Sequence, residues 1–494
     1  MRLGRERVAR RYDLSQKAGR QLSAAKVILC LTAASYISCA GARAQNAPKT
    51  PDQIWLPTGR SVTVGSAARR FSLDPATSYT LSQLIDLAEQ HNPTTRVAWE
   101  QAKAQAAAAG VARSSLFPVL TARAIAESAR QDLIFNTSWY QDTLGVFEGT
   151  VALTYTIFDF NARVDALAEA KALLRAQNFS FNNTHLQIIY RVTAAYYDAL
   201  NAAGQLDAAK ANLRNATTVQ QDAEARLANG LATLPDVLEA RASAAQANYD
   251  LINIQGSRLI ALGNLATTLG AVPTSDITLQ PIDQLSMPGP LSETVEDAIA
   301  EALRERPDLL SQAERIQASR DSVRQVRTTF LPTLTFAGDI GRAHAYGEQL
   351  PLPGVYATGE VWDANLSLQW NLFEGGRRRS ELAEAHAEQN QAQAELDTLR
   401  DDAENQVWTA YINVKTAYAR QQAAAALLEA STASYNAAVE AYNAGVRNLL
   451  DVVSAQRSLA QARSEDVTAR TQLLRQTATL AFSTGDLLKS ARRP

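Results

Sequence analysis

The chain has 494 residues, with 48 Lys and Arg against 50 Asp and Glu, for a net charge of −2. That balance argues against nucleic acid as the main partner, which would call for a clear basic excess. It is 46% hydrophobic but only 7% aromatic, and alanine makes up much of the apolar fraction, a composition suited to closely packed helical arrays.

The first 20 residues are basic, and "VILCLTAASYISC" (27–39) is apolar. "AGARAQN" follows, in which Ala42 and Ala44 form a small-x-small cleavage pattern. Residues 1–44 therefore read as a secretory signal peptide cut after Ala44. A second route acylates Cys39, which follows "YIS". The only two cysteines, Cys30 and Cys39, lie in this segment, so the rest of the chain has no disulfide framework or thiolate metal site. Residues 45–77 read as an extended segment. No later run of about 18 apolar residues occurs, so no mature transmembrane helix is expected.

Beyond this segment the chain repeats itself. "LIDLAEQHNPTTRVAWEQAKAQAAAAGVARSSLFPVL" (84–120) matches "AIAEALRERPDLLSQAERIQASRDSVRQVRTTFLPTL" (298–334). "IFDFNARVDALAEAKA" (157–172) matches "LFEGGRRRSELAEAHA" (372–387). The copies are assigned to 78–270 and 295–488. A Pro-, Ser- and Thr-rich linker (271–294) joins them, and a tail (489–494) follows.

Each copy follows one plan. A helix of about 35 residues should end at a Phe/Leu-Pro step, because proline lacks a donor and disfavours helix just before it. Two strands follow. Then comes a helix over roughly 162–228 or 377–443, about 100 Å long at 1.5 Å per residue. Gly230 and Gly445 should cap these rods, and Asp236 and Asp451 should N-cap the returning helices. Leu396, Leu399, Ala403, Val407, Tyr411, Val414 and Tyr418 recur at threes and fours, as in a coiled coil.

The strands are the anomaly in a helical chain. In "VWDANLSLQWNLFEGG" (361–376), Trp362, Leu366, Leu368 and Trp370 alternate with Asp363, Asn365, Ser367 and Gln369. Period two gives one apolar face and one polar face. "FEGTVALTYTIFD" (147–159) is its counterpart, and "LTARAIAES" (120–128) and "LTFAGDIG" (334–341) are weaker strands. Each has about 10 residues or slightly more, enough to cross a bilayer when tilted. Long rods leave no globular core for such a sheet to cover. Four strands cannot close a barrel and an open edge is not tolerated in lipid, so a membrane role requires a barrel shared between copies. Trp362, Leu366, Leu368 and Trp370 would then face lipid, and Asp363, Asn365 and Gln369 water.

The "NP…LFP" and "RPDL…FLP" openings, "LFEGG" before a rod, and "AGVRNLLDVVSAQRSLAQAR" before the last helix resemble the TolC family of outer-membrane efflux proteins. The resemblance covers about residues 78–488. It implies a mainly α protein with a transmembrane β part: a homotrimer whose chains each give four strands to a 12-stranded outer-membrane barrel, continuing as a periplasmic helical barrel. It further implies the exit duct of a tripartite efflux or type I secretion system, working with a periplasmic adaptor and an RND- or ABC-type inner-membrane transporter, with no cofactor.

In such proteins the hairpin ends, here "NGLATLPDVLEA" (229–240) and "AGVRNLLDVVSA" (444–455), narrow the periplasmic mouth and meet the adaptor. This makes Gly230, Leu234, Asp236, Gly445 and Val446 adaptor-contact candidates. Leu450 matches an aliphatic constriction, and Arg457 in "AQRS" matches a gate arginine. Ser454 departs from the acidic residue of "LDAQR", leaving Glu239 and Asp451 to supply carboxylates. The four histidines lack ligand spacing, and no P-loop, HExxH, nucleophile elbow or dinucleotide fingerprint occurs, so no enzyme is expected. The alternative is an exported coiled-coil scaffold or adhesin without a pore.

Overall fold

A computed structural model describes residues 71–74, 76–135, 138–273, 277–349 and 354–487. Cys39 and the cleavage site after Ala44 lie outside them. The elements in chain order are β1 (Ser78–Tyr79), α1 (Leu81–His91), α2 (Pro93–Ser114), β2 (Val119–Phe135), β3 (Ser138–Phe158), α3 (Ala162–Ala228) and α4 (Leu234–Thr268). The second half repeats the series as β4 (Thr278–Leu279), α5 (Val295–Glu305), α6 (Pro307–Thr328), β5 (Thr333–Gln349), β6 (Val355–Gln369), α7 (Arg377–Asn443) and α8 (Leu449–Thr484).

The single opening helix expected in each copy is two helices. Asn92 ends α1 and begins α2, its side chain accepting from Thr94 N at 2.8 Å, with Pro93 in the first turn. Arg306 and Pro307 repeat the break. Proline pushes the preceding residue to extended backbone, which turns the chain and restarts the helix.

The rods α3 and α7 each have 67 residues, about 100 Å of helix. Along α7, Leu396, Ala403, Ala410, Ala417, Ala424, Ser431 and Ala438 are buried at intervals of seven, with Val407 and Val414 interleaved. A strict seven-residue repeat imposes left-handed supercoiling, and alanine at the seam lets backbones approach closely. Pairing is α3 with α4 and α7 with α8, and α3 also packs on α6 and α8. A large core lies where α1 meets α3 and the end of α4, with Leu84, Ile188, Val192, Tyr196, Leu265 and Leu269 buried together. No helix among the described residues is long and apolar enough to cross a membrane.

The four long strands form one antiparallel sheet in the order β2-β3-β5-β6. They are longer than the sequence suggested, at 17, 21, 17 and 15 residues. β6 stops at Gln369, so Trp370 lies just beyond the strand rather than in it. Its indole Nε1 donates to the Phe330 carbonyl at 3.1 Å, which ties this end of β6 to the start of β5.

Candidate functional site: a sheet face and a pair of helical tips

Residues directly opposite in an antiparallel pair share a face. The register therefore assembles two surfaces from sequence-distant residues. Trp362 lies opposite Ile340, which lies opposite Val151. Leu366 opposes Phe336, which opposes Tyr155, and Leu368 opposes Leu334, which opposes Phe158. A register shift between Thr156 and Phe158 turns Phe158 onto this row. These side chains are broadly exposed in the isolated chain, Trp362 at 76% and Leu368 at 68%. Beyond Trp362 the face turns polar at the Arg342–Glu360 pair, and the Tyr346 and Tyr356 rings then meet at 4.8 Å. The apolar part of this face thus runs from Trp362 to Leu368, with Trp370 just past its end.

The opposite face carries Asp339 against Asp363, and Asn365 Nδ2 donates to Asp363 Oδ2 at 2.9 Å. Alternation places Glu127, Asp142 and Glu148 on this face too, with Arg123 as its one cation among the described residues.

The helical ends form the second element of the site. Gly230 (φ +69°) and Gly445 (φ +73°) close the rods in left-handed backbone. The returning helices are capped by Thr233 and Asn448, not by the aspartates. Asp236 and Asp451 sit three residues inside. The Asp236 carboxylate accepts from Thr233 N at 3.0 Å and Thr233 Oγ1 at 2.6 Å, and these bonds hold its pKa below the usual range. Asp451 N donates to Asn448 Oδ1 at 3.0 Å. The helices therefore start three residues earlier than aspartate caps would place them, with Asn448 accepting from the first turn of α8 and Asp236 reaching back to Thr233 in α4.

The structure brings some gate candidates together and separates others. Arg457 Nη2 and Glu239 Oε1 are 2.9 Å apart, bridging α8 to α4. Asp451 joins neither; its nearest cation is Arg447, at 3.8 Å. Leu450 is 59% exposed and Val446 79%, and Leu231 and Leu234 are also exposed. Beneath them Val219, Ala223, Val237, Ala240, Ala438, Leu449, Val452 and Val453 form one core from both hairpins.

Sequence reasoning missed Arg226. Its guanidinium donates to Tyr442 O at 3.3 Å and Asn443 Oδ1 at 2.8 Å, and lies 4.4 Å from the Tyr442 ring centroid. It ties the end of α3 to the end of α7. Nothing in the sequence marked it, because residue 441, its counterpart in the second copy, is alanine. Burial pushes the Tyr442 phenol up, with Arg226 pulling the other way.

An open, amphipathic antiparallel sheet standing on paired 67-residue rods is the architecture of TolC-like outer-membrane channels. The chain belongs to the outer membrane efflux protein family, whose model matches residues 84–271 and again 298–486. It is 28% identical to protein CyaE of Bordetella pertussis over 326 residues, 65% of this chain and 66% of that one. It is 26% identical to the alkaline protease secretion protein AprF of Pseudomonas aeruginosa, over 69% of this chain and 70% of that one. The aligned part is thus about two thirds of these relatives. The fold superposes on the outer-membrane channel OprN with a TM-score of 0.72 at 22% identity, covering 82% of this chain and 89% of that one. The protein is an outer-membrane protein extending into the periplasm.

Proposed function

We propose that the protein is the outer-membrane exit duct of a tripartite efflux or type I secretion system. Three chains give four strands each to a closed 12-stranded barrel. Cargo handed over by a periplasmic adaptor and an inner-membrane transporter of RND or ABC type passes out without any energy supplied by the duct. The observation that carries this reading is the four-stranded sheet with one apolar face and two open edges. Such edges leave a row of unpaired backbone groups, and in lipid only closure with further copies satisfies them. Exposed Tyr249, Ile252, Leu259 and Ile260 on α4, and Trp408 and Ile412 on α7, leave apolar surface for neighbouring protomers to cover.

At the far end, Leu231, Leu234, Val446 and Leu450 offer an apolar surface to an adaptor, with Gly230, Gly445 and Asp236 shaping the turns. Leu450 narrows the mouth, and Arg457–Glu239 holds it, with Asp451 close by. A photo-crosslinker at residue 446 of the full chain in cells tests the adaptor contact. A single periplasmic adaptor trapped there in the outer-membrane fraction is the expected result. A protein released wholly by osmotic shock, with no such adduct, favours the pore-free scaffold.

A further inference from the structure

We propose that neighbouring chains meet in the register that joins the two copies within one chain. Ser367 of β6 then lies opposite Ile125 of the next chain's β2, and Ala419 of α7 lies against Ile252 of its α4. This rests on the reading that further copies close the sheet, and it fixes which residues meet at the closure.

The two copies share one internal register. In their alignment Ala122 corresponds to Phe336 and Val151 to Leu366. Ala122 pairs with Val151 in the first hairpin, and Phe336 with Leu366 in the second. Val119 and Thr154 pair in the same way as their counterparts Thr333 and Gln369.

Between the copies the junction is one-sided. The first copy meets the second through β3 on β5 and through α3 on α6 and α8. The reciprocal elements, β6 with β2 and α7 with α2 and α4, do not pack together among the described residues of one chain. Their surfaces are bare where their counterparts are covered. Leu259 of α4 is 50% exposed and its counterpart Leu474 of α8 only 8%. Trp408 of α7 is 51% exposed and its counterpart Thr193 of α3 only 3%. The missing occupant is the first copy of another chain.

Carrying the inner junction over to the outer one names the contacts. Ala152 pairs with Asp339, and their counterparts are Ser367 and Ile125, both on the carboxylate-bearing face. Val151 pairs with Ile340, and their counterparts are Leu366 and Ala126, both on the apolar face. A slip of one residue would set Leu366 against an inner-face residue. A slip of two keeps the faces but breaks the stagger shared by the other junctions of the barrel. In the rods, α3 and α8 approach closely at Gly204, where an added β-carbon would lie 3.6 Å from Val467 Cβ. The counterparts are Ala419 and the exposed Ile252, so the rods of neighbouring chains stand slightly further apart. The sheet has one such departure. Gly341, packed too closely on β3 for a β-carbon, has Glu127 as its counterpart, so the seam is wider where Asn365 replaces Thr150.

The test oxidises the full-length protein in isolated outer membranes with copper phenanthroline and reads its mass on boiled, non-reducing gels. One variant carries Ser367→Cys with Ile125→Cys, and another Ala419→Cys with Ile252→Cys. Directly opposed β-carbons in a sheet are about 4.5–5.5 Å apart and diagonal ones about 7–8 Å, so only opposed cysteines bridge readily. Each pair should shift the protein from one-chain to three-chain mass, because three bonds then link the ring. Single variants should stay at one-chain mass, as should Ser367→Cys combined with Arg123→Cys or Glu127→Cys. If Ile125→Cys disturbs folding, Leu366→Cys with Ala126→Cys reads the same register from the other face. Bridging by a slipped pair instead, or at only one of the two predicted places, overturns the shared register and leaves the closed barrel standing. So does a failure of both pairs to bridge in a protein whose native mass is three chains. A native mass of one chain overturns the closure as well.

Discussion

Arg457 and Glu239 come from different hairpins and approach to 2.9 Å in a half-exposed setting. Such a pair is worth under about 1 kcal/mol. Its effect on stability is therefore small; in the proposed trimer its value lies in position, since a threefold axis would repeat it three times around the mouth. Arg457→Ala and Leu450→Ser should each raise single-channel conductance in planar bilayers, with trimers as resistant to heating as wild type. Unchanged conductance in the double variant would remove these residues from the gate. Asp451→Ala is milder than an N-cap loss, because Asn448 makes the cap; only a helix-dipole contribution of about 0.3–1 kcal/mol goes with it. Arg226→Ala should act in the same direction as Arg457→Ala, since it frees the end of α7 from α3. Equal conductance of Arg226→Ala and wild type would reduce that contact to packing.

At the scale of elements, the rods were legible almost to the residue, because glycines mark their ends and a seven-residue repeat of small side chains runs between. The sheet's faces were equally legible in β6 and β3. What the sequence concealed was registry and length. Strands continue past the apolar band with a polar outer face at Arg342 and Glu360, where no alternation in hydrophobicity remains to be read. The opening helices look like one in the sequence because their period continues across the Pro step, although the backbone does not. The tip contacts, Arg226 to Asn443 above all, join residues 217 apart and leave no local signature. Within the sheet, a membrane-impermeant thiol reagent should label cysteine at 365 or 367 and spare 366 and 368; the opposite phase would reverse the faces. A positive charge at Leu366, in the apolar band, should cost about 2–4 kcal/mol if the residue lies at midplane, read as loss of folded barrel in a urea titration. Gly341 packs so closely on Gly149 and Thr150 of β3 that any β-carbon meets backbone. Gly341→Val should therefore abolish trimers on semi-native gels, whereas Gly359→Val, in open space, should not.

The whole molecule combines a sheet face rich in carboxylates with hairpin tips tied to each other through Arg457–Glu239 and Arg226–Asn443. Five acidic side chains against Arg123, repeated in three chains, give the proposed lumen a negative field with low-dielectric walls, which concentrates cations. Reversal potentials across a potassium chloride gradient should show cation preference, weakened in Asp339→Asn/Asp363→Asn; anion preference would contradict the assignment of that face. All of this depends on closure, because four strands alone cannot form a pore. The measurement that bears on it most directly is the native mass of the full-length protein extracted from outer membranes. The account predicts three chains in one particle. A monomer that stays folded in the membrane fraction, or a protein recovered only in the soluble periplasmic fluid, would contradict it.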